Sequence, residues 1–253
     1  MKTLYVILLS FFITGCVQTL NTTTCVEPPI DKIIHNRQLQ QANILNNQGI
    51  DAYQASNYKK AMNYFLQSLK IKEHILGTND LNTATSYNNI GLIYKQQGNS
   101  KKALRYIEKA LSIRKEKLGM EESKTAESYN NLGAIYAQTG EVEKALMVTN
   151  KSIEIKRNII RREDIDLAIS YNNLAVLYET LGEFETALKH YHEALETNKR
   201  IFGEEHRITQ NNYKNIIQLY LSNNQYIKAR EYMKFLTKDD GENQLEDIYI
   251  GSE

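Results

Sequence analysis

The chain has 253 residues but only two prolines, two cysteines and no tryptophan. Pro28 and Pro29 are adjacent, so everything beyond residue 29 lacks the residue that most effectively breaks a helix. An excess of one charge is missing as well. The formal net charge is +1, and Lys2 is the only charged residue in 1–15, so the chain from Cys16 onward is neutral. A nucleic-acid partner is therefore not expected, because phosphate binding needs a basic face. Catalytic signatures are missing too: there is no Cys pair of metal-binding spacing, no HExxH, no GxSxG and no P-loop. His35, His74, His190, His192 and His206 are scattered, and two positions apart on a helix His190 and His192 point to different sides. They read as surface residues, and Glu121-Glu122 and Glu204-Glu205 as solvated helix ends rather than metal ligands. No catalytic residue, metal or cofactor is expected.

What the chain has is self-similarity. Ser86-Tyr87-Asn88-Asn89 returns 42 residues later as Ser128-Tyr129-Asn130-Asn131 and again as Ser170-Tyr171-Asn172-Asn173. A further shift lands on Tyr213 and Asn215, and a backward one on Asn46-Asn47. Small residues keep the same register, Gly49, Gly91, Gly133 and Ala175 in one row and Ala61, Ala103, Ala145, Ala187 and Ala229 in another. Five copies at one period define a repeat array, predicted for residues 38–238 in units of 38–80, 81–123, 124–165, 166–207 and 208–238.

Ahead of the array, the apolar run Leu4–Phe12 is too short to span a bilayer as a helix, which needs about 20 residues. It fits the core of a secretory signal peptide over residues 1–15. The ending Ile13-Thr14-Gly15-Cys16 resembles a bacterial lipobox, which implies cleavage before Cys16 and its lipidation. Several acyl chains, at about 0.8 kcal/mol per buried methylene, then hold the protein on a membrane. With Cys16 modified, Cys25 is left alone in a Thr-rich tether assigned to residues 16–37. The tail 239–253 carries six acids and no base, a composition expected to be disordered.

Within each unit the first segment places apolar or small residues at helical spacing, as in Tyr87, Ile90, Gly91 and Tyr94. A turn at Gly98, Gly140 or Gly182 leads to a second segment such as Ala103, Leu104, Ile107, Ala110 and Leu111. Each unit is thus a helical hairpin whose apolar faces need its neighbours. At these positions the units resemble tetratricopeptide repeats, and the 42-residue unit with its SYNNL segment is most similar to the kinesin-light-chain type, against 34 residues for the usual unit. The resemblance implies an all-α, right-handed superhelical solenoid of about five hairpins. Three departures stand out: Ala52 where other copies have Tyr, Thr149 and Ser152 at usually apolar and Ala positions, and Asn224 in place of the turn glycine. The third copy is expected to pack less tightly, and the array's C-terminal edge to lie uncapped.

The Tyr87/Ile90/Gly91/Tyr94 stripe turns Asn89 roughly 160° away from the partner helix, at 100° per residue. In relatives of this type that side lines a concave groove. Asn47, Asn89, Asn131, Asn173 and Asn215 form one row there, and Asn46, Asn88, Asn130, Asn172 and Lys214 its neighbour. Helix propensity does not explain such a row. A carboxamide offers donor and acceptor together, suited to the backbone of an extended peptide. Bridging between adjacent repeats is the competing explanation. Thr85, Leu92, Lys95, Gln96, Glu127, Ala134, Gln138, Ile169, Val176, Glu179, Thr180, Asn211 and Gln218 complete the expected groove. Only Lys95 and Lys214 resemble the basic clamp with which some relatives hold a C-terminal carboxylate. The expected function is a peptide-binding adaptor or assembly scaffold, lipid-anchored in a bacterial envelope. The alternatives are a structural protein that self-associates into homo-oligomers and, more remotely, an enzyme with an unrecognised site.

Overall fold

A computed structural model describes residues 15–19, 22–26, 30–159 and 165–236. The expected signal peptide and acidic tail lie outside these residues, apart from Gly15. Two short strands, β1 (Gly15–Thr19) and β2 (Thr22–Val26), pair antiparallel with Cys16 opposite Cys25. The described chain is otherwise helical. It divides into two compact units, residues 1–78 and 79–253. The first contains the strands and one hairpin, α1 (Ile30–Gln54) and α2 (Tyr58–Leu76). The second contains four: α3 (Leu81–Gln96) with α4 (Ser100–Leu118), α5 (Ser123–Gln138) with α6 (Val142–Ile159), α7 (Ile165–Thr180) with α8 (Phe184–Phe202), and α9 (Arg207–Ser222) with α10 (Tyr226–Met233). The first helix thus starts at Ile30, ahead of the residue 38 at which the repeat array is expected to begin, and the strands occupy part of what reads as tether. The repeat pattern shows only where copies match, whereas α1 extends one way beyond the repeated part.

The hairpins close where small residues stand. A Cβ added to Gly91 would come within 2.7 Å of the Ile107 side chain, and Ala103 has no exposed surface. The same approach recurs at Gly49 against Phe65 and at Gly133 against Thr149. Packing, rather than propensity, accounts for a glycine in the middle of a helix. The tight turns use positive φ at Gly98, Gly140 and Gly182, and the first and last copies place Ser56 and Asn224 in the same region. Asn57 and Asn99 cap the second helices by accepting from the Lys60 and Lys102 amides at 3.1 and 3.2 Å.

The two anomalous residues of the third copy behave differently. Ser152 donates to the Ala126 carbonyl at 2.8 Å, so its hydroxyl belongs to the packing. Thr149 sits where other copies have Phe65, Ile107 and Tyr191, is fully buried, and leaves Oγ1 without a hydrogen-bond partner. Of the two, Thr149 is the one that leaves a buried polar atom unpaired. The C-terminal end is also closed more fully than expected. After α10 the chain turns, Phe235 stacks on Tyr213 with ring centroids 5.3 Å apart, and the Phe235 carbonyl accepts from Gln210 Nε2 at 3.1 Å. Met233 and Leu236 join the apolar cluster built around Tyr213, Ile216, Ile217 and Tyr220.

Candidate functional site

In the second unit the first helices of successive hairpins are joined through their asparagines. Asn131 Nδ2 donates to Asn88 Oδ1 at 3.0 Å, Asn173 to Asn130 at 3.1 Å, and Asn215 to Asn172 at 2.7 Å. Asn88 and Asn130 are buried, whereas Asn89, Asn131, Asn172, Asn173, Lys214 and Asn215 are half-buried. In the first unit Asn47 is exposed and Asn46 half-buried. Three members of the row expected to face an open groove, Asn131, Asn173 and Asn215, thus enter inter-repeat bonds. A helical wheel points these positions away from the partner helix, and at the three pairs the neighbouring first helix stands within reach and takes the amides. Each donor amide uses one N–H in its pair and carries a second.

A second ladder runs along the opposite helices, and the sequence reading missed it. Lys72, Arg114, Lys156 and Asn198 occur at one register, 42 residues apart, and all four are buried. Arg114 Nη1 donates to the Lys124 carbonyl at 2.8 Å and to Ser128 Oγ at 2.7 Å. Lys156 Nζ does the same to the Asp166 carbonyl at 2.6 Å and Ser170 Oγ at 3.0 Å. At both seams a buried cation leaves the second helix to grip the first turn of the next hairpin. Burial lowers the Arg114 pKa, and nearby Glu127, 3.4 Å away, opposes that shift. Glu127 in turn accepts from Asn88 Nδ2 at 3.1 Å, so the cation and amide ladders meet at this carboxylate. The repeat spacing of these cations was the available signal, but a charged residue in a helix reads first as solvated.

At the last seam Asn198 stands in the cation's place and donates to Asn212 Oδ1 at 2.6 Å. A cavity of about 400 Å³ opens between α7 and α9, walled by Asn172, Asn198, Asn211, Asn212, Lys214 and Asn215. Ile169 and Val176 lie on the exposed side of α7, and Asn211 and Gln218 on that of α9. Other expected groove residues are already engaged. Glu179 accepts from the Tyr191 hydroxyl at 2.8 Å, Thr85 donates to the Leu81 carbonyl at 3.1 Å, and burial lowers the Lys95 pKa. His190 and His192 are half-buried rather than surface residues. His190 stacks on Tyr171 and Tyr178, and His192 Nε2 lies 3.2 Å from the Tyr232 hydroxyl. Among the described residues no group of three or more His, Cys, Asp or Glu could hold a metal ion, and no helix is long and apolar enough to cross a membrane.

The family model described as tetratricopeptide repeat matches residues 40–116 and 166–234, more than half of the chain, and a second such model matches 126–159. The chain belongs to the tetratricopeptide repeat family. No curated protein sequence matches it significantly. Among solved structures it is similar to BtubC (BKLC) from P. vanneervenii, at 24% identity and a TM-score of 0.57, over 64% of this chain and 65% of that one. It is also similar to the nearly identical TPR-like repeats of a kinesin light chain from Podosopora anserina (18% identity, TM-score 0.61, 79% of this chain and 93% of that one). Pseudomonas aeruginosa pilF is a third (14% identity, TM-score 0.57, 78% and 76%). These likenesses show the fold, a solenoid of tetratricopeptide-type helical hairpins. Tetratricopeptide arrays are in general scaffolds for protein–protein interaction, and that is the class of role to which the repeats point.

Proposed function

We propose that the chain is an adaptor that binds an extended peptide along its first helices and is held on a bacterial envelope membrane by lipid at Cys16. The observation that carries the binding reading is the amide-walled cavity between α7 and α9, flanked by exposed Ile169 and Val176. Amides there supply both donors and acceptors for a peptide backbone, and the apolar side chains supply area to bury. Peptide display on the purified chain tests this. Selection of related peptides that lose binding on Asn211→Ala plus Gln218→Ala supports the reading, and no selected peptide sinks it. The anchor rests on Ile13-Thr14-Gly15-Cys16 closing a short apolar run. Mass spectrometry of the membrane-extracted protein should find a lipid-modified Cys16 at the N-terminus. An unmodified Cys16, or one linked to Cys25 opposite it, overturns this assignment. The competing self-association reading draws on Ile227 of α10, which is 80% exposed. Light scattering over a range of concentrations separates it from a monomeric adaptor.

A further inference from the structure

One stripe of α10 changes character relative to every other second helix. In the preceding hairpin the same stripe meets the hairpin that follows it. Phe184 of α8 lies against Tyr220, with ring centroids 5.9 Å apart, and His192 Nε2 lies 3.2 Å from the Tyr232 hydroxyl. Leu188 stands between them, four residues from each, and packs on the same apolar cluster. One 42-residue period later these positions hold Tyr226, Arg230 and Lys234. The middle position is Met62, Leu104, Leu146 and Leu188 in the other four copies, and none of them has a lysine or arginine at the third. Arg230 and Lys234 are exposed and Tyr226 is 40% exposed. Neither cation has an ion-pair partner among the described residues, and the one acid of α10, Glu231, is a position round the helix from the stripe. A further hairpin stacked on this face would bury both charges, at a cost that apolar neighbours do not offset. The face suits an acidic occupant that also brings apolar side chains.

The chain itself supplies one. Residues 239–253 carry six acids and no base, and Glu246-Asp247 is flanked by Leu245 and by Ile248, Tyr249 and Ile250. The segment leaves from the C-terminal end of the stripe, just beyond Lys234. From Tyr226 to Lys234 the stripe rises about 12 Å, at 1.5 Å per residue. The chain from Leu236 to Glu246 reaches up to about 33 Å when extended, so the acidic pair can lie anywhere along it. Tethering also raises the local concentration of these acids to the millimolar range, above that of any second copy. We propose that residues 239–253 fold back on this face as an acidic latch. Glu246 and Asp247 then stand against Arg230 and Lys234, with the apolar side chains beside them over Tyr226. A latch in this place occupies the surface on which another copy would stack and so opposes end-to-end association. The inference is independent of the peptide-binding reading.

Zero-length carbodiimide coupling of carboxylates to lysines on the purified full chain, read by mass spectrometry, tests this. Mixing unlabelled and nitrogen-15-labelled protein separates links within one molecule from links between two. Glu246 and Asp247 are expected to couple to Lys234 within one molecule. The ion pair Lys199–Glu204, at 3.2 Å, serves as the internal positive control. Arg230→Glu leaves the reacting amine in place but reverses the charge beside it, and should lower the coupling to Lys234 several-fold. Salt at about 1 M should do the same, because the contact is exposed to screening. The salt measurement keeps the test decisive if Arg230→Glu does not fold by circular dichroism. Coupling to Lys234 that neither change reduces reflects chance encounters of a tethered segment and overturns the latch. Coupling only between two molecules makes a second copy the occupant and overturns it as well. A working control with no coupling of Glu246 or Asp247 to Lys234 overturns it outright.

Discussion

Thr149 shows how much one atom matters in a repeated framework. Its Oγ1 is buried without a partner at a position that Phe65, Ile107 and Tyr191 fill with apolar surface. Replacing the hydroxyl by a methyl group removes the unsatisfied donor and acceptor with little change in shape. Thr149→Val is therefore expected to raise stability by about 1 kcal/mol, read as a higher midpoint in thermal or urea unfolding. A lower midpoint would mean that the contact with Gly133 has no room for the methyl group. Ionisation gives a second residue-scale expectation. Tyr213 is pushed up to about 12 by burial and by its hydrogen bond to Glu204 at 2.6 Å, and Glu204 is lowered by the same bond and by Lys199. An unfolded tyrosine ionises near 10, so between about pH 10 and 12 the unfolded chain gives up a proton that the folded chain keeps. Stability from this group is fully present below about pH 10 and is lost as pH rises through that window. Melting temperatures taken across it should fall, and Tyr213→Phe should make the fall shallower.

At the scale of the element, the hairpin geometry was readable because it depends on the sizes of side chains at fixed intervals. Gly91, Ala103 and Ala145 mark close approaches, and the structure buries all three. Ala145→Leu should accordingly cost about 1–3 kcal/mol through overpacking. Ala137→Leu, at a half-buried position on α5, should cost much less. Equal losses in denaturant midpoints would contradict the register of α5 and α6. The start of α1 at Ile30 and the closure of the last hairpin by Phe235 were not readable by the same means, because neither lies in the repeated pattern. The direction of the asparagines was not readable either. A helical wheel describes one helix, whereas the fate of Asn131 and Asn173 depends on how near the adjoining helix stands.

Across the second unit as a whole, the amide pairs and the buried cations both connect neighbours and nothing farther apart. Asn131→Ala combined with Asn173→Ala removes two inter-repeat bonds, each of about 0.5–1.5 kcal/mol, against a small gain in helix propensity. The double variant should melt lower than the wild type. An unchanged or higher melting temperature would show that these pairs do not hold repeats together and would return the amides to the peptide-contact role. Arg114 and Lys156 were legible as a periodic row but not as buried, since a positive charge on a helix has no sequence mark that separates a solvated position from a clamped one.

The replacement of a clamped cation by Asn198 has a kinetic consequence. A seam held by a neutral amide pair has weaker electrostatic attachment than one held by a charge-assisted donor, and in a nearest-neighbour array each seam opens largely on its own terms. The final hairpin, α9 with α10, is then the place where transient detachment starts, so its amide protons should exchange with deuterium sooner than those of α5 to α8. Any ligand lodged between α7 and α9 would act as a removable latch on that hairpin, and occupancy would be legible at a distance, as slowed exchange in α10, which does not wall the cavity.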